Sequence, residues 1–484
     1  MALVARAVTF ALVGLEPRRV DVEACLQTGH GLTIVGLGDR ACQEARHRVR
    51  SGIINARYGW PGQQSITVNL APASLRKEGT GFDLPIALAI LGASEQVPTS
   101  VLSRYACLGE VALDGRIKAV AGAIAVAEAA AHAGLSAILC ASESAPEAAL
   151  AGIEALPVSH VAEAVEFLCG RCRVEPARPD EHAAAPGELP DLAEVRGQER
   201  GRRAIEIAAA GHHNLLLSGP PGTGKTMLAR RLPSILPPMT REESLEVTRI
   251  HSVAGLLPAE RPLVTTPPFR APHHGASAAA VIGGGATPRP GEVSLAHRGV
   301  LFMDELPEFP RPVLESLRQP LEDGCVSIAR VGGRALFPAR FALVGAMNLC
   351  PCGGRGDPAL SCTCTAARVA GYREKLSRAL LDRFDLAVSM PRPRAEELAG
   401  PDGESSAAVR ERVQEARAIL AEHLLERSDA ATELLDRAVE RLSLSGRGRA
   451  RVGRVARTIA ALAQAPRILP EHVAEALSYR TTTG

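Results

Sequence analysis

A chain of 484 residues has room for about three domains, and 46% hydrophobic with 22% charged residues describes a globular protein rather than a disordered one. The formal net charge of +2 neither selects nor excludes a nucleic-acid partner, and eleven cysteines in a chain this long do not make a secreted disulfide scaffold. No apolar run reaches the roughly 18 residues of a membrane helix, so a cytoplasmic protein with no membrane partner is expected.

Residues 1–172 are rich in Ala, Val and Gly and read as an α/β or α+β unit. Residues 7–14 and the apolar run Ile66-Thr67-Val68-Asn69-Leu70 read as strands, and 85–92 and 119–133 as helices. Residues 173–190, dominated by proline, acidic and small residues, read as a linker. From 191 to 391 the pattern becomes that of a parallel nucleotide-binding sheet with covering helices. A helix is expected over 198–210, with strands over 214–218, 299–303 and 341–346. Residues 392–484 alternate Ala/Leu with Arg/Glu and should fold as a helical lid, with helices over 405–426, 430–442, 450–465 and 470–479.

The motor half carries Gly219-Pro220-Pro221-Gly222-Thr223-Gly224-Lys225-Thr226, the complete G-x-x-x-x-G-K-[ST] phosphate loop, between the apolar Leu215-Leu216-Leu217 and the helical Met227-Leu228-Ala229. Glycines let the backbone curl around a phosphate chain, whose oxygens accept from N–H groups. Lys225 reaches the β and γ phosphates and Thr226 offers a hydroxyl to Mg2+. The matching acids end Val300-Leu301-Phe302-Met303-Asp304-Glu305: Asp304 for Mg2+, and Glu305 to polarise the attacking water. Asn348, after the next strand, can orient that water. ATP and Mg2+ are therefore the expected cofactors.

Two C-x-C pairs follow, Cys350/Cys352 and Cys362/Cys364, with Gly353-Gly354-Arg355-Gly356 to turn the chain back. Four thiolates can form a tetrahedral structural Zn2+ site; free thiols or redox pairs are the alternatives. In Leu380-Leu381-Asp382-Arg383-Phe384-Asp385, Arg383 can act across a subunit interface on a neighbour's γ phosphate, with Arg378 as a second candidate. The lid bears Arg441, Arg447, Arg449, Arg451, Arg454 and Arg457 with no acid between them. One of these could contact phosphate of its own subunit, others a neighbour or nucleic acid.

These motifs, with Lys77-Glu78-Gly79, Phe82-Asp83-Leu84-Pro85, Leu108-Gly109-Glu110, Leu113-Asp114-Gly115-Arg116, Pro268-Phe269-Arg270, Pro272-His273-His274, Gly283-Gly284-Gly285, Pro290-Gly291-Glu292 and Leu295-Ala296-His297-Arg298-Gly299, resemble a known family over nearly the full length. It is that of the magnesium-chelatase-like AAA+ proteins of the bacterial ComM/YifB competence group. The resemblance implies a hexameric ring that drives branch migration of single-stranded or branched DNA during natural transformation, alongside recombination proteins. It puts the trans arginine on Arg383 and the lid arginine on Arg447, within Ser445-Gly446-Arg447. It also implies a hairpin over 326–337, turning at Gly332-Gly333, whose Arg330 and Arg334 could touch a DNA backbone, as could Arg449 and Arg451.

The amino-terminal block is similar to the domain of Lon-type proteases, of the ribosomal-protein-S5-domain-2-like fold. Gly81 stands at the position of the protease nucleophile and Val126 near that of its lysine, so Ser–Lys peptide hydrolysis lacks both groups and no protease activity is expected. An insertion fits between Lys225 and Asp304, and the adjacent His273 and His274 within it receive no chemical role. With 3% aromatic residues a base-stacking platform is not expected, and DNA affinity should be salt dependent. Metal insertion into a porphyrin and a nucleotide-bound scaffold are the competing readings.

Overall fold

The computed structural model describes residues 4–179, 189–285, 288–330 and 333–480; the side chain of Arg330, the expected turn residue Gly332 and half of the expected linker lie outside the described residues. Two large sheets organise the chain.

The first sheet has seven strands in the order Gly31–Val35, Gln64–Ala71, Glu16–Thr28, Val4–Val13, Tyr105–Leu108, Ala137–Ala141 and Glu154–Val158. In Gln64–Ala71 the alternate residues Ile66, Val68 and Leu70 are buried while those between them are partly exposed, the period-two signature of a strand with one covered face. Helix Asp83–Ala93 is apolar almost all round, and every residue in it is buried against this sheet. Its one charge, Asp83, accepts from Arg48 Nε at 2.6 Å and Nη2 at 2.9 Å, and from the Val111 N–H at 3.2 Å. Lys77 is fully buried and donates to the carbonyls of Gly36 and Pro72. Two of the amino-terminal motifs thus supply internal fastenings. The helix expected over 119–133 runs only Ala123–His132. Gly122 takes φ +87° there, and a Cβ at Gly122 would lie 2.3 Å from Leu12 Cδ1, so the chain arrives by a turn that excludes helix.

The second sheet is parallel throughout, in the order Phe269–Arg270, Val300–Met303, Ala342–Met347, Leu215–Ser218 and Leu386–Ser389. Val300–Met303 and Ala342–Met347 are buried on both sides, as continuous apolar runs in a covered parallel sheet should be. Gly345 is closely packed: a Cβ there would meet Leu306 Cδ2 at 3.0 Å and Phe384 Cζ at 3.1 Å, so a larger residue would have to displace them.

One face of this sheet shares a hydrophobic cluster with the carboxy-terminal helices Ser406–Glu422, Asp429–Arg441, Gly446–Leu462 and Pro470–Ser478. The third begins four residues before its expected start at 450, because Ser445 accepts the Gly448 N–H at 3.1 Å and caps it there. The other face packs against the antiparallel hairpin Cys325–Arg330 and Gly333–Pro338. That hairpin also touches the first sheet: a Cβ at Gly14 would lie 2.7 Å from Ala335 Cβ.

A helix from the long insertion joins the two halves. Arg241–Val253, opened by a Thr240/Glu243 capping box, packs on Ala123–His132. Ser252 Oγ donates to Glu147 and accepts the Gly122 N–H at 3.0 Å, while Arg249 pairs with Glu128 at 2.7 Å. Burial raises the Glu147 carboxyl above its ordinary pKa, and the Ser252 hydroxyl and Ile124 N–H oppose that rise. No helix among the described residues is long and apolar enough to cross a membrane.

Candidate nucleotide site

The phosphate loop leaves the buried strand Leu215–Ser218 and enters the short helix Lys225–Ala229. A Cβ at Gly219 would lie 2.2 Å from the Met390 carbonyl oxygen, so only glycine lets the loop start beside the neighbouring strand. Gly222 and Gly224 take φ of +76° and +87°, and no atom lies within 4 Å of where their Cβ would stand, so the loop curves around open space. Thr223 Oγ1 donates to the Pro220 carbonyl at 3.0 Å and holds that curve from within, while Pro221 backs onto Gly353.

Lys225 is buried, and its Nζ donates to the carbonyls of Gly219 and Pro220, each at 2.7 Å, and to Asn348 Oδ1 at 3.2 Å. Burial lowers its pKa, and the nearby Asp304 charge works against that. Among the described residues this buried cation has no carboxylate within ion-pair distance, an arrangement suited to an arriving polyphosphate. Thr226 Oγ1 donates to Asp304 Oδ2 at 2.7 Å, bringing together the hydroxyl and carboxylate that would hold Mg2+. The donor set therefore fits Mg2+–ATP. When bound, that ligand supplies the anhydride bond to be broken and the metal charge that offsets its oxygens.

Glu305 turns out of the Val300–Met303 strand with φ +51°, its side chain 54% exposed. His274 Nδ1 lies 3.4 Å from Glu305 Oε2, its ring 4.1 Å from that of His273 and edge-on to Phe309. Sequence reading left His274 without a role because its partner is far along the chain; only the parallel pairing of Phe269–Arg270 with Val300–Leu301 brings them together. The signal was the Pro272-His273-His274 segment itself, placed just after a strand next to the acid-bearing one. His274→Ala should lower kcat for ATP about tenfold with little change in KM, the effect of losing one close polar contact with the Glu305 carboxylate. Steady-state ATPase rates across ATP concentration check it, and an unchanged kcat counts against the contact.

Other motifs in the insertion lock one another. Arg270 donates to Glu292 at 2.6 and 2.8 Å, and His297 and Arg298 reach Glu246 on the joining helix at 3.2 and 2.9 Å.

Arg383 lies at the opposite end of the sheet from the phosphate loop. Its segment precedes Leu386–Ser389, while Gly219 follows the in-register partner Leu215–Ser218. Four residues of strand separate the two ends by roughly 13 Å. The Arg383 guanidinium pairs with Glu322 and donates to the Ala379 carbonyl at 3.2 Å, and Asn214 Nδ2 holds the Arg383 carbonyl at 2.9 Å. Arg378 is exposed on the adjoining turn.

Arg447 is exposed at the start of Gly446–Leu462, and one turn on, Arg451 bonds the Phe384 carbonyl and Asp382 Oδ1, each at 3.4 Å. The start of Gly446–Leu462, which carries Arg447, therefore lies beside the Asp382–Phe384 segment. Arg451 is 5% exposed and paired with a carboxylate, which removes it from the candidate DNA contacts. Arg449 pairs with Asp436 at 2.7 Å and Arg334 donates to Ser327 Oγ at 2.6 Å, both at the surface.

The four cysteines converge. Cys350 and Cys352 sulfurs are 3.4 Å apart, Cys352 and Cys362 3.7 Å, Cys362 and Cys350 3.6 Å, and all four, Cys364 included, lie within 4.8 Å of one another. Zn–S bonds of about 2.3 Å in a tetrahedron place sulfurs about 3.8 Å apart. The cluster fits Zn2+. The Gly354 N–H, then the Cys364 and Cys350 thiols, pull the Cys352 thiol below its ordinary value, while those of Cys362 and Cys364 are pushed up.

In the first sheet, Gly81 and Val126 line one cavity with Phe10, Leu12, Leu108 and Val120, and a Cβ at Gly81 would lie 3.0 Å from Leu108 Cδ1. Neither position carries a nucleophile or a base.

Three family profiles match in succession: "Subunit ChlI of Mg-chelatase" over residues 20–144, "Magnesium chelatase, subunit ChlI" over 191–398, and "Magnesium chelatase, subunit ChlI C-terminal" over 403–480. The chain is 42% identical to "Uncharacterized protein YifB" of Escherichia coli over 495 residues, covering 98% of this chain and 96% of that one. It is 41% identical to "Competence protein ComM" of Haemophilus influenzae over 501 residues, covering 97% and 96%. A "Magnesium-chelatase 38 kDa subunit" of Cereibacter sphaeroides is 27% identical over 220 residues, 41% of this chain and 58% of that one.

Proposed function

Since the chain belongs to the magnesium-chelatase ChlI family, with YifB and ComM among its near-full-length relatives, and is an ATP-hydrolysing enzyme that uses Mg2+, we propose that it is a ring-forming motor that moves branched DNA. The observation that carries the ring is the separation of half-sites. The phosphate loop, Asp304 and Glu305 lie at one end of the parallel sheet, and Arg383 and Arg447 at the other. Arg383 stands a strand's length from the loop of its own subunit, and a cyclic array would bring it to the next subunit's loop.

In this reading Lys225 binds the terminal phosphates, Thr226 and Asp304 hold Mg2+, Glu305 takes the proton of the attacking water, and Asn348 orients that water. Arg383 and Arg447 of the neighbouring subunit offset the charge that develops. Glu322, which holds Arg383 in the single chain, gives it up to the neighbour's phosphate.

DNA as the track is supported by the relative named as a competence protein and by arginines left at the surface of the hairpin and the lid, Arg334 and Arg449. Arg330 is a further candidate on the same hairpin. Natural transformation or recombination is the process proposed, with six subunits in the ring. The amino-terminal sheet is proposed as a Lon-like domain over 1–172, without peptidase chemistry, joined by a 173–190 linker to the motor core of 191–391 and the helical domain of 392–484.

The test is strand dissociation from a synthetic four-way junction by the full-length protein with Mg2+ and ATP. Dissociation should require hydrolysable ATP, and junction binding should weaken by orders of magnitude between about 50 and 200 mM salt if several phosphates are contacted. Robust ATPase activity with no ATP-dependent movement of any branched DNA would refute the DNA reading and leave the ATPase standing.

A further inference from the structure

We infer that the four-cysteine metal site and the phosphate loop are energetically coupled, so that a thiophilic ion such as Zn2+ in the first raises the affinity of the second for nucleotide. The inference rests on the ATPase reading and adds regulation to that site.

The two sites share backbone. The Gly219 N–H donates to the Met347 carbonyl at 3.2 Å, the next residue Asn348 accepts from Lys225 Nζ at 3.2 Å, and Cys350, buried, follows two residues later. The cysteine loop also rests on the phosphate loop from outside. Gly353 has φ +78°, and a Cβ on it would lie 2.8 Å from Pro221 Cγ and 3.1 Å from Pro221 Cδ. At Gly356, φ +81°, the added Cβ would stand 2.8 Å from Leu349 Cδ1 and 3.9 Å from Pro220 Cγ. Pro221 is thus backed by cysteine-loop backbone at a distance only glycine permits, while Pro220 lies at ordinary van der Waals range from it.

The far side of the cysteine loop is fastened as well. Asp357, its side chain 2% exposed, accepts from Arg392 at 3.2 Å and from the Ala359 N–H at 2.8 Å. Arg392 lies two residues after Met390, whose carbonyl oxygen blocks any side chain at Gly219. The cysteine loop therefore spans from the strand end carrying Asn348, across Pro220 and Pro221, to the segment leaving the last strand.

An ion on four sulfurs closes this span into a short covalent ring. Without it, four neighbouring sulfurs lose their common partner, the ring opens, and the backbone regains freedom that the ion had removed. The outer support of Pro220 and Pro221 then loosens, and ATP must reorder the loop as it binds. Coupling of this kind is reciprocal: nucleotide must raise metal affinity by the same factor.

The test uses full-length protein purified under thiol reductant, which should carry one Zn2+ per chain by mass spectrometry. Removing Zn2+ with a thiophilic chelator should weaken binding of a fluorescent ATP analogue about tenfold, which corresponds to about 1.4 kcal/mol, and returning Zn2+ should restore it. In the reverse direction, Co2+-substituted protein, followed by its thiolate absorption, should yield its metal to a competing chelator about tenfold less readily with saturating non-hydrolysable ATP analogue. This second measurement decides the matter even if the metal-free chain unfolds, because the comparison starts from folded protein. Gly353→Ala keeps every thiol and should still bind Zn2+ while holding nucleotide more weakly. Equal metal partition with and without nucleotide overturns the coupling, and so does a chain that takes up no metal. A Zn2+-loaded chain that binds no ATP would instead sink the ATPase reading.

Discussion

Glu305→Gln should leave ATP bound at nearly wild-type affinity while kcat falls roughly 10²- to 10⁴-fold, the range expected when a general base is replaced by a group that cannot take a proton. The substitution keeps side-chain shape, and the side chain it alters is 54% exposed and plays no part in the core. The backbone turn at φ +51° and the Glu305 N–H bond to Asp304 Oδ1 at 2.9 Å do not depend on the carboxylate. Lys225, Thr226 and Asp304 stay intact, so binding of a fluorescent ATP analogue and single-turnover hydrolysis separate affinity from chemistry. A Gln variant within a few-fold of wild-type kcat would remove Glu305 from the reaction.

Arg383→Ala should lower kcat by about 10³-fold or more, the magnitude associated with a trans arginine on a phosphoryl group. The stronger form of the experiment is a mixture. Arg383→Ala subunits retain a phosphate loop, and Lys225→Ala subunits retain the arginine. Each alone should be inactive, yet mixed rings place some intact loops against intact arginines, and activity should return in part. An arginine acting within its own subunit gives no such recovery. Because Arg383 also pairs with Glu322, thermal melting of the variant must accompany the rates.

Much of this site was legible in the sequence because its chemistry is written in contiguous runs. The phosphate loop, the acid pair and the two cysteine pairs each carry their meaning within a few residues, and neighbouring apolar strands fix which end of the sheet they occupy. What could not be read depends on residues brought together by pairing or by caps. His274 meets Glu305 only through the alignment of two parallel strands. Arg447 and Arg451 look alike in sequence, yet one is exposed and the other buried, because only Arg451 meets the Phe384 carbonyl and Asp382 from a segment about 70 residues away. The helix expected from residue 119 begins at Ala123 because Gly122 takes a left-handed φ of +87°, which breaks the helix before it. Lys77 and Asp83 stood in recognisable segments, and only burial identifies them as internal ties.

The attachment of helix Arg241–Val253 to the first sheet has a mechanical meaning. Glu128 and Glu147 fasten that sheet to a helix which itself holds His297 and Arg298, just ahead of the acid-bearing strand. A small tilt of this helix would swing the outlying edge of the amino-terminal body through a wider arc, as a short crank turns a long arm. The amino-terminal body would then be the part of the chain that travels furthest.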